Sequence, residues 1–176
     1  ESWMNKGGGH HMGWRYGTSY SVPYPYLNWK FATNEESWFS DWQKENVYFF
    51  IYAHRSSEIK NTFPFFGDIP QGSTYYIADR TALNIVTNAY IYGNKHAQWF
   101  YNLFSNKNRN NHWDILYRHF GDKEGEPPDD LPLSRHFPNS AFVIIRDTWD
   151  LDDNTLLVFK SSSFYSMVHH HKDQNA

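Results

Sequence analysis

The sequence predicts an α+β chain in which helical hairpins precede antiparallel strands, and three observations carry that expectation. Apolar residues recur at helical spacing through most of the first 120 positions. Acidic residues and prolines interrupt the pattern between Gly121 and Asp130. Beyond them the residues switch to the β-branched and aromatic runs of strands. Three parts follow from this: a helical part over 1–121, a linker over 122–139, and the first strands of a sheet domain over 140–176. Because the chain opens on Glu1 and stops at Ala176 just after a polar motif, a piece of a longer protein is expected.

The stretch from Glu1 to Tyr26 is rich in Gly, Tyr and His, and Gly7-Gly8-Gly9 lead into His10, His11, Arg15 and Tyr16. Such a segment, permissive in backbone angle and dense in polar side chains, suits a binding loop, with Pro23 and Pro25 closing it. Thr33-Asn34-Glu35-Glu36 has capping-box spacing, so a helix is expected from there to about Ala53, burying Trp38, Phe39, Trp42 and Phe49. Phe63 to Gly72 reads as a loop. Asp79 opens a helix with Ala82, Ile85, Val86, Ala89 and Tyr90 as its stripe, and Gly93 stands where a glycine ends one. Asn94 caps the next helix, whose buried face is Trp99, Phe100, Leu103 and Phe104. A polar turn over 106–111 then leads to a short helix from His112 to Phe120.

After the linker, Ser140 to Arg146 forms a strand, Asp150 to Asn154 a turn, and Thr155 to Lys160 the return strand. The turn DLDDN lacks the spaced ligands and terminal Glu of a calcium loop. Strand alternation continued into the end of the chain would put His169, His171 and Asp173 on one face and His170, Lys172 and Gln174 on the other. Imidazole and carboxylate together suit zinc or proton transfer. A short histidine run near a terminus also resembles an engineered tag, but this one follows a strand pattern without a break.

Composition narrows the function classes. With a formal net charge of -3 the chain has no global field for nucleic acid or an anionic membrane. Its longest apolar run, Val47 to Ala53, is far too short for a membrane span. Cysteine is absent, which excludes disulfides and thiolate metal sites and leaves the compartment open. Aromatic residues make up 20% of the chain, which gives either a packed helical interior or faces on which sugar rings stack.

From Leu131 the order LPLSRHFP, strand, RDTWD, turn, LLVFKS and HHHKDQN resembles the heparinase II/III family of polysaccharide lyases, whose strand pair leads into H-x-H-A-D-Q. His11-Met12-Gly13-Trp14-Arg15-Tyr16-Gly17 is similar to the family's H-x-G-x-x-Y-G, and Ile51-Tyr52 before Arg55 resembles the segment carrying its catalytic tyrosine. Lys172 stands where the family has a small residue.

The resemblance implies an incomplete α/α toroid followed by an antiparallel β-sandwich, with the active site in the cleft between them. It also implies β-elimination on a uronic-acid polysaccharide, and a periplasmic or secreted location. His11 and His169 are then catalytic histidines, Tyr52 the general base or acid with Tyr48 as the alternative, and His171 a ligand of a structural zinc whose other ligands lie beyond Ala176. His10, Arg15, Tyr16 and Gln174 would contact the acidic substrate.

Elimination needs the substrate carboxylate neutralised, a base for the adjacent proton and an acid for the leaving oxygen. A phenol acting as base needs positive charge beside it, for which Arg15, His11 and His54 are candidates. Two other functions are compatible with the sequence: a non-catalytic sugar-binding module, and a zinc hydrolase, although no HExxH pair is present.

Overall fold

Pro23 and Pro25 begin a helix rather than close a loop. Proline already holds the helical φ, and the N–H groups of a first turn have no partner inside the helix, so its missing donor costs nothing there. In this computed structural model, which describes residues 23–35, 40–55, 63–64, 79–105, 124–138 and 140–160, helix α1 spans Pro23–Thr33. Asn34 ends it in the left-handed region at φ 59, with its N–H donating to the Lys30 carbonyl at 2.8 Å. The Thr33 hydroxyl donates back to the Trp29 carbonyl at 2.8 Å and accepts the Glu35 N–H at 3.1 Å. The expected capping box therefore closes one helix, and the next, α2, starts later, over Ser40–Ala53.

Helix α2 is the hub. It packs on α3 (Asp79–Tyr90), on α4 (Lys95–Ser105) and on strands β1 (Ser134–Phe137) and β2 (Phe142–Arg146). Phe49, Phe50, Ile51, Tyr52 and Ala53 are all buried, so its second half is covered on every side. Each fully buried phenylalanine contributes roughly 1.5–3 kcal/mol of transfer free energy. The α2–α3 contact is knit by amides as well: Gln43 Nε2 donates to Asn84 Oδ1 at 2.8 Å, and Asn88 Nδ2 donates to the Gln43 carbonyl at 2.8 Å. Gly93 ends the α3 turn at φ 65 as expected, and Asn94 Oδ1 accepts the Ala97 N–H at 2.9 Å, so it does cap α4.

The sheet is antiparallel in the order β1-β2-β3, with β3 over Leu156–Lys160. Strand β1 lies inside the stretch expected to be linker, and pairs Phe137 with Phe142 and Ser134 with Ile145. Pairing begins at Ser134, earlier than Ser140. Alternation points Phe137, Phe142, Ile144 and Arg146 toward the helices. On the seam, the Phe49 ring meets Phe137 at 5.0 Å and Phe142 at 5.4 Å, both edge to face.

Helices with a small antiparallel sheet make this an α+β structure. The helix expected over His112 to Phe120 lies outside the described residues, as do Trp38 and Phe39. No helix among the described residues is long and apolar enough to cross a membrane.

Candidate functional site

Two places gather chemistry: the helix–sheet seam around Tyr52, and a groove one helical turn away around Tyr48. At the seam, Tyr52 is buried at 1% exposure, and its hydroxyl donates to the Pro132 carbonyl at 2.7 Å. The ring lies edge-on to Trp149 at 5.0 Å, with the Arg135 guanidinium 5.8 Å from its centre. Burial raises the phenol above its ordinary value, although Arg135 and Arg146 pull the other way. The positive charge sought for this tyrosine is thus present as two arginines, but loss of solvent outweighs it. His54 belongs to the core, its ring edge-on to Phe63 at 5.8 Å and Phe100 at 5.2 Å.

Arg146 braces the same seam. Its Nη2 donates to the His54 carbonyl at the end of α2, at 2.8 Å, where a cation also complements the helix dipole. The guanidinium lies 4.5 Å from the Trp149 ring centre, and burial lowers its pKa to about 10, so it is charged at neutral pH. Asn154 adds a second tie by donating to the Arg55 carbonyl at 3.1 Å. In the DLDDN turn Asp150 serves the backbone, its Oδ1 accepting the Asp152 N–H at 3.0 Å.

The groove has a volume of about 620 Å³. Helix α2 supplies Lys44, Glu45 and Tyr48, the end of α3 and its turn supply Asn88, Tyr92 and Asn94, and the start of α4 supplies Lys95 and His96. Glu126 closes the rim. The Tyr48 hydroxyl accepts a hydrogen bond from Asn94 Nδ2 at 3.1 Å, which leaves its own proton to be donated to a ligand. Arg135 lies 4.4 Å from the Tyr48 ring centre and is paired with Glu45. Lys44 sits 4.9 Å over the Tyr92 ring. Asn88 is fully buried, and its Oδ1 has no hydrogen-bond partner among the described residues.

Of the residues expected to form the site, only Tyr52, its alternative Tyr48 and the charge candidate His54 are described. His10, His11, Arg15, Tyr16, His169, His171 and Gln174 lie outside the described residues. Among the described residues no group of three or more His, Cys, Asp or Glu could hold a metal ion. The groove escaped sequence reading because its wall comes from three separated stretches; the visible signal was the run Asn94-Lys95-His96 at a helix start, with Asn88 and Tyr92 just before it. Comparison with protein-family models and with curated proteins returns no match.

Proposed function

We propose that the protein is a polysaccharide lyase acting on a uronic-acid polymer by β-elimination, with the Tyr48 groove holding an acidic sugar. The observation that carries this is the groove's donor set. The Tyr48 hydroxyl, the cations Lys44 and Lys95, and His96 converge on one open volume beside Glu45 and Glu126, a lining suited to a ring that bears hydroxyls and a carboxylate. The resemblance of 131–176 and of 11–17 to the heparinase II/III pattern supplies the reaction class. It also supplies the finer architecture, an incomplete toroid and a sandwich whose exposed inner face would be the side bearing Ile145, Leu157 and Phe159.

In the proposed step a base removes the proton beside the carboxylate. Its electron pair forms the new double bond, and the bond to the leaving oxygen breaks as that oxygen takes a proton. Tyr48 is the tyrosine whose hydroxyl can reach a bound sugar, whereas Tyr52 supports the seam beneath it. His11 and His169, with His10, Arg15, Tyr16 and Gln174, complete the proposed cleft. His171 would hold a structural zinc, and no step runs through the metal.

Incubation with a panel of polyuronates should generate the ultraviolet absorbance of an unsaturated uronic product. Saturable binding with no new absorbance on any of them would replace the lyase by a sugar-binding module.

A further inference from the structure

Three contacts between a nitrogen side chain and a carboxylate surround the groove, and two of the carboxylates come from one short segment. Glu126 is paired with Lys95, and Asp130 Oδ1 lies 2.9 Å from His96 Nε2. The third pair, Arg135 with Glu45, joins the sheet to α2. The segment over 124–130 is also laid against α4 by its backbone. The Glu126 N–H donates to the Lys95 carbonyl at 3.1 Å, and Gly125 approaches so closely that a Cβ there would collide with the backbone of Trp99. The two carboxylates are themselves largely open to solvent, at 57% and 74% exposure, so exchanging them for another anion costs little desolvation.

We propose that the segment over 124–130 is an internal competitor for the groove, its Glu126 and Asp130 carboxylates occupying Lys95 and His96 in place of the carboxylates of an acidic polysaccharide. The polymer binds by exchange: its carboxylates take over Lys95 and His96, the strap is released from the rim, and the groove lengthens along α4. This deepens the lyase proposal by naming what regulates the same site, and it depends on that proposal only for the acidic character of the ligand.

The test is direct binding, measured by calorimetry with size-fractionated polygalacturonate and polymannuronate as separate probes. The double variant Glu126→Gln/Asp130→Asn should bind roughly threefold to tenfold more tightly than the unaltered protein, the scale set by losing one exposed ion pair and one imidazole–carboxylate hydrogen bond. A control with the same change in net charge, Asp129→Asn/Asp153→Asn, should bind less than twofold more tightly. Gly125→Ala, which displaces the strap with no change in charge, should tighten binding as well. Equal tightening by the control would assign the effect to net charge and overturn the competitor. So would weaker or unaltered affinity in the double variant, or no binding of either probe by any form. The unsaturated product is read separately, so tighter binding without product would sink the lyase and leave the strap standing.

Discussion

Tyr48 and Tyr52 are one helical turn apart on α2, and their hydroxyls have opposite surroundings. Tyr52 donates into the Pro132 carbonyl, while Tyr48 accepts from Asn94 at the groove wall. Removing each hydroxyl should therefore have different consequences. Under the proposed elimination, Tyr48→Phe should lower turnover by roughly 10²–10⁴-fold with little change in melting temperature, as loss of an acid–base group does. Tyr52→Phe should cost about 1 kcal/mol of stability, the net value of one hydrogen bond, and leave most of the turnover. Kinetics and thermal melts on the two variants decide it, and the reverse pattern would return the chemical role to Tyr52. The segment containing both tyrosines was visible in the sequence through Ile51-Tyr52 and its neighbours. Which hydroxyl opens on the groove was not, because that depends on Pro132 and Asn94, some 80 and 46 positions away.

At the scale of elements, the parts legible from sequence were those closed by local chemistry. Gly93 and Asn94 end one helix and start the next through their own backbone and side chain, and both act as expected. Helix α1 is not legible in the sequence because Pro23 and Pro25 have the look of breakers where they serve as starters. Strand β1 is not legible either, because Ser134-Arg135-His136-Phe137 has no β-branched residue and owes its extension to pairing with β2.

The turn between those strands holds Ala141 at φ 49, a conformation that costs an L-residue roughly 1–2 kcal/mol. Ala141→Gly removes that strain but loosens the unfolded chain, so a net gain of roughly 0.5–1 kcal/mol is expected in chemical denaturation. The next turn is sensitive to acid. Asp147 Oδ1 accepts the Thr155 N–H at 2.8 Å, and hydrogen bonding to Thr155 holds its pKa below the usual carboxylate range. A depressed folded pKa contributes stability above the unfolded value, near ~3.9, that is lost as pH falls through the folded one. Asp147→Asn keeps the acceptor and cannot titrate, so its melting temperature should fall less steeply than that of the unaltered protein below about pH 4. Parallel acid limbs would show that this carboxylate is not part of the response.

Across the whole molecule, the helices and the sheet bury one continuous set of side chains. Val47, Phe49, Ile85, Phe100, Phe137, Phe142 and Ile144 belong to the same core, and the buried Arg146 ties the end of α2 to the sheet through the His54 carbonyl. A composition break such as the one at Gly121 shows where the chain alters character, but not whether the two sides share a core, because burial across a seam leaves no local pattern. The consequence is cooperative unfolding. Phe137 is fully buried on β1 and contacts Phe49 and Tyr52 of α2 at 5.0 and 6.3 Å, so truncating it opens a cavity between sheet and helix. Phe137→Ala should cost roughly 3–5 kcal/mol. Since the cavity faces α2, the helical circular-dichroism signal and the aromatic near-ultraviolet signal should shift together to the same lower midpoint. A helical transition left at its original midpoint while the near-ultraviolet signal moves would mean that helices and sheet stand on separate cores.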